Sequence, residues 1–280
     1  MIKINILTAN ENRVLNKKLD GKKLTQVEAN YLSRAIRPKL KRFEEARPID
    51  FDLILKKIEY NQKAKSVELK IKNLIQKSIS KLDSIIIFGS AIQTNYYSYN
   101  DIDVLILTKE KIWNKEKEKY ALIKTIKQEA KVLGLNLDVQ ILEKKSFYRG
   151  YSSSTDLIYQ MKDSKLIYGS VKIPKEIKLS KLDLQMKLDW SDLNELNPSG
   201  IDIYRALRNT ILVKLLFSKI IDNQKLKENL YEEAGKNIID KLKNNKASNI
   251  ERKIALIYLN ELSRKIRRDI KEAKWEKIEL

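Results

Sequence analysis

IIIFGSAIQTNYYSYNDIDVLIL, residues 85–107, holds two short apolar runs separated by a polar loop. The first run, with Ser84 in front of it, reads as a strand of β-branched residues that ends at Gly89-Ser90. The second, Ile102 to Leu107, reads as another strand and is opened by Asp101-Ile-Asp103. Side chains alternate along a strand, so Asp101 and Asp103 share one face while Ile102, Val104 and Ile106 enter the core. Two carboxylates roughly 6–7 Å apart along a strand repel each other when unpaired. They are explained if they share divalent cations, and an all-oxygen donor set suits magnesium. The Gly89-Ser90 turn lets backbone approach a ligand closely, and its N–H groups can cradle phosphate oxygens.

Further along, a Lys/Glu-rich helix is expected over about 113–132, with Gly134 ending it, followed by a strand over Leu135–Leu142. Leu137, Val139 and Ile141 fall on one face of that strand, which leaves Asp138 and Gln140 on the other. Three carboxylates fit a two-metal arrangement, one ion on the triphosphate and the other acidifying the attacking hydroxyl. Asp138 would then stand near the acceptor as metal ligand or base. Tyr96, Tyr97 and Tyr99 lie in the loop between Ser90 and Asp101. They either stack on a base or pack the loop.

Gly-Ser, ten residues, Asp-x-Asp, an apolar strand and a later strand aspartate together resemble the DNA polymerase β-type nucleotidyltransferase superfamily. The spacing is nearest to its minimal and antibiotic-nucleotidyltransferase branches. The likeness spans about 82–145, with a faint extension through KDSKLIYGS. The resemblance implies a nucleoside triphosphate as substrate and Mg2+ (or Mn2+) as cofactor. It implies Gly89 and Ser90 at the phosphates, and Asp101, Asp103 and Asp138 at the metals and in catalysis.

The flanks read as helical. Thr25 with Glu28 fits a capping box opening a helix through Tyr31, Leu32, Ala35 and Ile36, with Pro38 bending or restarting it. This basic amphipathic stretch is either half of a helix-turn-helix or an ordinary packing helix. A further helix is expected over 51–79. After Ser153–Asp156 a helix resumes, and DSKLIYGSV reads as a turn and a short extended piece. Pro174 and the Lys-rich 172–181 stretch mark a boundary, and Ser191 is a candidate N-cap. Two amphipathic helices follow, through Ile203–Leu216 and through Ile254, Tyr258, Leu262, Ile266 and Ile270. The expected architecture is α+β: an N-terminal helical region (1–80), a small mixed-sheet nucleotidyltransferase core (81–172) and a helical C-terminal domain (173–280).

Composition narrows the chemistry. Histidine and cysteine are absent, which removes Ser-His-Asp catalysis, thiolate metal sites and disulfides. The net charge of +20 favours a polyanionic partner, and RNA (a tRNA end is the concrete expectation) ranks first as acceptor. A protein hydroxyl, AMPylated in a toxin–antitoxin setting, ranks second, and a small aminoglycoside-like molecule third. A non-catalytic nucleic-acid binder on the same scaffold is the alternative outside enzymology. Arg205 and Arg208, one helical turn apart, are candidates for nucleotide phosphates, and Arg264, Arg267, Arg268 and Lys271 for a nucleic-acid backbone. No apolar run reaches membrane-spanning length, so a cytoplasmic protein without membrane contact is expected.

Overall fold

The computed structural model describes residues 7–41, 60, 65–93, 99, 101–174, 177–193, 195, 197–275 and 277–279. Two compact units divide the chain, one from Met1–Lys145 with Ser164–Val171, the other from Ser146–Asp163 with Lys172–Leu280.

The first unit opens with α1 (Ala9–Leu19) and α2 (Gln26–Tyr31). Both start with capping boxes, Thr8 with Glu11 and the expected Thr25 with Glu28. A π-helical turn, Leu32–Ile36, then precedes α3 (Arg37–Lys41). Its cause is Pro38, whose ring would clash with a carbonyl four residues back in a regular helix. The backbone widens one turn before it, and the Arg37 N–H donates to the Leu32 carbonyl. Val14, Leu15, Leu24, Leu32, Ile36 and Leu40 form a small separate core that binds these helices together. This is the packing reading of the basic stretch.

Glu28 ties that core to charge. It accepts from Lys17 at 2.7 Å, from Arg13 at 3.0 Å and from the Thr25 backbone at 2.8 Å. Burial alone would raise its pKa, but the Lys17 bond and the two Thr25 bonds outweigh that and pull it down to about 2. A depressed acid stabilises the fold above its unfolded pKa and loses that contribution as pH falls through the folded value. Amide protection factors in α1 and α2, taken relative to the unfolded chain at each pH, are therefore expected to fall between about pH 4.5 and pH 2. Glu28→Gln should flatten this dependence.

The sheet follows α4 (Lys65–Ser78), the described part of the helix expected over 51–79; residues 51–59 and 61–64 lie outside the described residues. Its strands are β1 (Leu82–Phe88), β2 (Ile102–Thr108), β3 (Leu137–Glu143) and β4 (Lys165–Tyr168), in spatial order β3-β2-β1-β4. β1 is antiparallel to β2 and β4, and β2 is parallel to β3, which makes the sheet mixed. The parallel pair is joined by the crossover helix α5 (Glu116–Val132), which Gly134 ends at φ 73°. Ile85, Ile87, Ile102, Val104, Ile106, Leu137, Val139 and Ile141 face a core filled by Ile71 and Ile75 of α4 and by Ile126 and Ala130 of α5. The short extended piece in DSKLIYGSV is the edge strand β4.

The first unit runs on through residue 80, and the second, which takes up the chain at Lys172, also includes Ser146–Asp163. α6 (Lys144–Tyr151) and α7 (Thr155–Lys162) lie within the expected core by number, yet from Ser146 to Asp163 the chain packs with the C-terminal half. The reason is bonding: the Tyr159 hydroxyl donates to the Ile220 carbonyl at 2.8 Å, and Asp156 accepts from Lys187 at 2.7 Å. The Lys-rich 172–181 stretch, at whose start the second unit resumes, contains β5 (Lys178–Ser180), paired antiparallel with β6 (Lys277–Glu279). It runs directly into α8 (Lys181–Asp189), capped by Ser180 and Asp183.

Ser191 caps no helix. It follows the end of α8, and its hydroxyl donates to the Lys187 carbonyl at 2.9 Å. The bundle is completed by α9 (Gly200–Phe217), α10 (Asn223–Ala234), α11 (Lys236–Lys243) and α12 (Asn249–Glu272). The buried face of α12 runs through Ala255, Leu259, Leu262, Ile266 and Ile270, whereas Ile254 is 61% exposed, one residue off the expected stripe. Among the described residues no helix is long and apolar enough to cross a membrane.

Candidate active site

The face of the sheet opposite the α4/α5 core carries the candidate chemistry. β1 ends at Phe88, whose register partner on β2 is Asp103. Asp103 is in turn paired with Asp138 on β3. Residues directly opposite in a ladder project to the same side, so Asp103 and Asp138 sit side by side on neighbouring strands. Asp101 stands just before β2, two positions from Asp103, as the alternation requires. All three are part-exposed, while Ile102, Val104, Leu137 and Val139 beside them are buried.

The Gly-Ser bend meets this face. Gly89 opens a single 3₁₀ turn, Gly89–Ala91, at φ +74°. A Cβ built on Gly89 would lie 1.9 Å from the Asp103 Oδ2. The backbone of the turn is thus in direct contact with the carboxylate, an approach open only to glycine. The turn is closed by the N–H groups of Ile92 and Gln93, which donate to the Gly89 carbonyl at 3.0 and 3.1 Å. From the other side the Lys23 ammonium donates to the carbonyls of Ser90 (2.9 Å), Ala91 (3.3 Å) and Gln93 (2.9 Å). Burial pushes the Lys23 pKa below the usual lysine value.

Asp138 has its own cation: Lys127 of α5 donates to its Oδ1 at 2.6 Å. Among the described residues no three acidic side chains stand close enough to enclose an ion by themselves. The donors nonetheless suit a hard divalent cation. Magnesium is usually held by one or two carboxylates with substrate phosphates completing the shell. Asp101 and Asp103 would supply the carboxylates, and a backbone turn with no room for a Cβ lies against Asp103.

Other expected site residues belong to other elements. Tyr96 and Tyr97 fall outside the described residues. Tyr99 is buried, and its hydroxyl is bonded to the Tyr60 backbone, so it packs the loop and has no face free for a base. Arg205 and Arg208 belong to the second unit, on α9. Arg205 lies 3.7 Å from Asp202 and lines a cleft of about 450 Å³ with Trp190, Asp192 and Glu195. Arg267 differs from its neighbours on α12. It pairs with Asp189 and Asp192, fixing the end of α8, and is thereby taken out of the basic face, while Arg264, Arg268 and Lys271 are exposed.

Lys23 and Lys127 are the site neighbours that sequence reading missed. Lys127 lies one turn from the end of a helix rich in lysine, with nothing to single it out. Lys23 is 67 residues from Ser90.

Residues 70–168 match the family model of the nucleotidyltransferase domain. Comparison with curated proteins gives no match. Among solved structures, the chain is similar to the spectinomycin adenyltransferase AAD(9) from Enterococcus faecialis, bound to ATP and spectinomycin. The identity is 17% over 71% of this chain and 99% of that one, with a TM-score of 0.46. It is similar to a chain of the complex between a tri-AMPylated HEPN toxin and the MNT antitoxin of Shewanella oneidensis, at 27% identity over 37% of this chain and 70% of that one, with a TM-score of 0.25. The MntA-HepT toxin–antitoxin gives 25% identity over 37% and 70%, with a TM-score of 0.25. The mixed sheet, the glycine bend over a strand aspartate and the family match coincide on one segment, and residues 70–168 form a nucleotidyltransferase domain.

Proposed function

We propose that this enzyme transfers a nucleoside monophosphate from a nucleoside triphosphate to a hydroxyl of RNA, releasing pyrophosphate. Asp101, Asp103 and Asp138 would hold Mg2+ or Mn2+, and Gly89 and Ser90 would bind the triphosphate. The observation that carries the reading is the contact between Gly89 and the Asp103 carboxylate, with Asp138 in register beside it. It supports a reading in which the turn cradles phosphate beside an acid that would hold a cation.

Cations held there would supply charge neutralisation on the triphosphate and a lowered pKa for the attacking hydroxyl. The chain's own residues do the rest. The Gly89–Ala91 turn orients the phosphate tail, and Asp101 and Asp103 fix its position relative to β2. Asp138 stands where an acceptor proton can be taken up, once Lys127 releases it. The acceptor oxygen attacks the α-phosphorus as the bond to the β-phosphate oxygen breaks, so positioning and electrostatics provide most of the rate.

RNA as acceptor is supported by the net charge of +20 and by the exposed Arg264, Arg268 and Lys271. Charge of this kind attracts a phosphate backbone without reading sequence. Replacing those three residues with alanine is expected to weaken RNA binding for all sequences and to lower the slope of log K against log salt by up to about 3. Filter binding at several salt concentrations reads this directly.

The acceptor class is tested by incubating the protein with α-labelled triphosphates, magnesium and a cell lysate. Label removed by ribonuclease is the expected result. Label removed only by protease would move the acceptor to a protein and leave the transfer chemistry standing.

A further inference from the structure

We propose that Lys23 is the positioning residue of the nucleotide-binding turn, its ammonium gripping the turn's carbonyl end so that the N–H end is held toward the triphosphate. The inference rests on the nucleotide-binding reading given above. An ammonium has three donors and no acceptor. Here the three carbonyls it meets, at 2.9, 3.3 and 2.9 Å, all come from residues 90–93. In a helical turn the carbonyls and the N–H groups lie at opposite ends. A cation fastened to the carbonyl end therefore fixes the direction of the other end, which begins at Gly89 against Asp103.

The lysine is itself well anchored. It follows the turn between α1 and α2, where the Gly21 N–H donates to the Lys18 carbonyl and the Lys22 N–H to the Lys17 carbonyl, each at 3.0 Å. Leu24, next in sequence, is buried in the small N-terminal core. Among the described residues the partners of Lys23 are these carbonyls and no carboxylate. A half-buried cation that gives up water for neutral carbonyls contributes little to stability compared with an apolar residue in its place. Its geometry is accounted for by what it holds. The N-terminal helices thereby become part of the nucleotide site.

The test uses the full chain and three variants: Lys23→Met, Lys23→Arg and Lys22→Met. Lys22 is exposed, paired with Asp20 at 3.0 Å, and removes the same charge without touching the turn. Affinity for a non-hydrolysable triphosphate with magnesium is measured by calorimetry, with circular dichroism confirming the fold. Lys23→Met is expected to weaken binding about tenfold, the scale of one charge-assisted hydrogen bond. KM for the triphosphate should rise by the same factor, with kcat changing less than about threefold. Lys23→Arg is expected to recover most of the affinity, and Lys22→Met to bind as the wild type does. Folded Lys23→Met that binds triphosphate like the wild type would overturn this inference alone. A wild-type protein that binds no triphosphate would overturn the nucleotide reading and the inference with it.

Discussion

Gly89→Ala is expected to lower nucleotidyl transfer by on the order of 10²-fold in a protein that stays folded. Two costs arise together. The first is backbone: φ of +74° is left-handed territory, where an L-residue loses roughly 1–2 kcal/mol. The second is contact, since the new Cβ would sit 1.9 Å from the Asp103 Oδ2 and 2.8 Å from its carboxyl carbon. A carboxylate at the end of a side chain can move, so the clash is relieved by turning Asp103 away, at small cost to the fold. What is displaced is the group proposed to hold the cation, and displacements of about 1 Å can cost 10²-fold in rate. Melting is expected to fall by only a few degrees. Loss of activity in proportion to loss of folded protein would remove the special standing of this glycine.

Asp103→Asn is expected to have the largest effect, on the order of 10³-fold or more in kcat, with Asp101→Asn close behind. The substitution keeps shape and removes charge, so it isolates electrostatics from packing. Asp103 lies between Phe88 and Asp138 in the ladder, and an amide fits the same place. Divalent cation with triphosphate should raise the melting temperature of the wild type by mass action and fail to do so in the variant. Asp103→Asn that retains the cation-dependent shift would mean the cation binds elsewhere.

Much of the nucleotidyltransferase core could be read from sequence because a strand announces itself locally. Alternation in Ile102–Leu107 and Leu137–Ile141 fixed which face each aspartate takes, and a single glycine before a serine marked the bend. The helical second unit was harder. In α8 the apolar residues Leu182, Leu184, Met186 and Leu188 alternate as in a strand, and Leu182 and Met186 are exposed. The helix is specified instead by the Ser180–Asp183 capping box and by Lys187 reaching Asp156 on α7. On α12 the four-residue step from Ile254 gave the buried Leu262, Ile266 and Ile270, but in the first turns the buried positions are Ala255 and Leu259 in place of Ile254 and Tyr258. Both pairs satisfy a helical period, and only the packing chooses between them. The division into units was hidden for a similar reason: Tyr159 and Asn223, which bind the segment around α7 to the bundle, are 64 residues apart in sequence. Arg267 looked like its basic neighbours until Asp189 and Asp192 came into range.

The site shows the same pattern. Residues supplied by one strand or one bend were visible as spacing. Lys23 and Lys127 act through contacts made only on folding, from helical regions where lysine is common. Tyr99 carried no mark to separate it from Tyr96 and Tyr97, and its burial against Tyr60 is a property of the folded chain.

The most direct test of the account is to follow both ends of the triphosphate in one reaction. The wild-type protein is incubated with RNA and magnesium, and with triphosphate labelled at either the α- or the γ-phosphorus. The account predicts that α-label passes to the acceptor while γ-label leaves as pyrophosphate, and that Asp103→Asn abolishes both. Transfer of γ-label to the acceptor, or turnover that persists in Asp103→Asn, would contradict it.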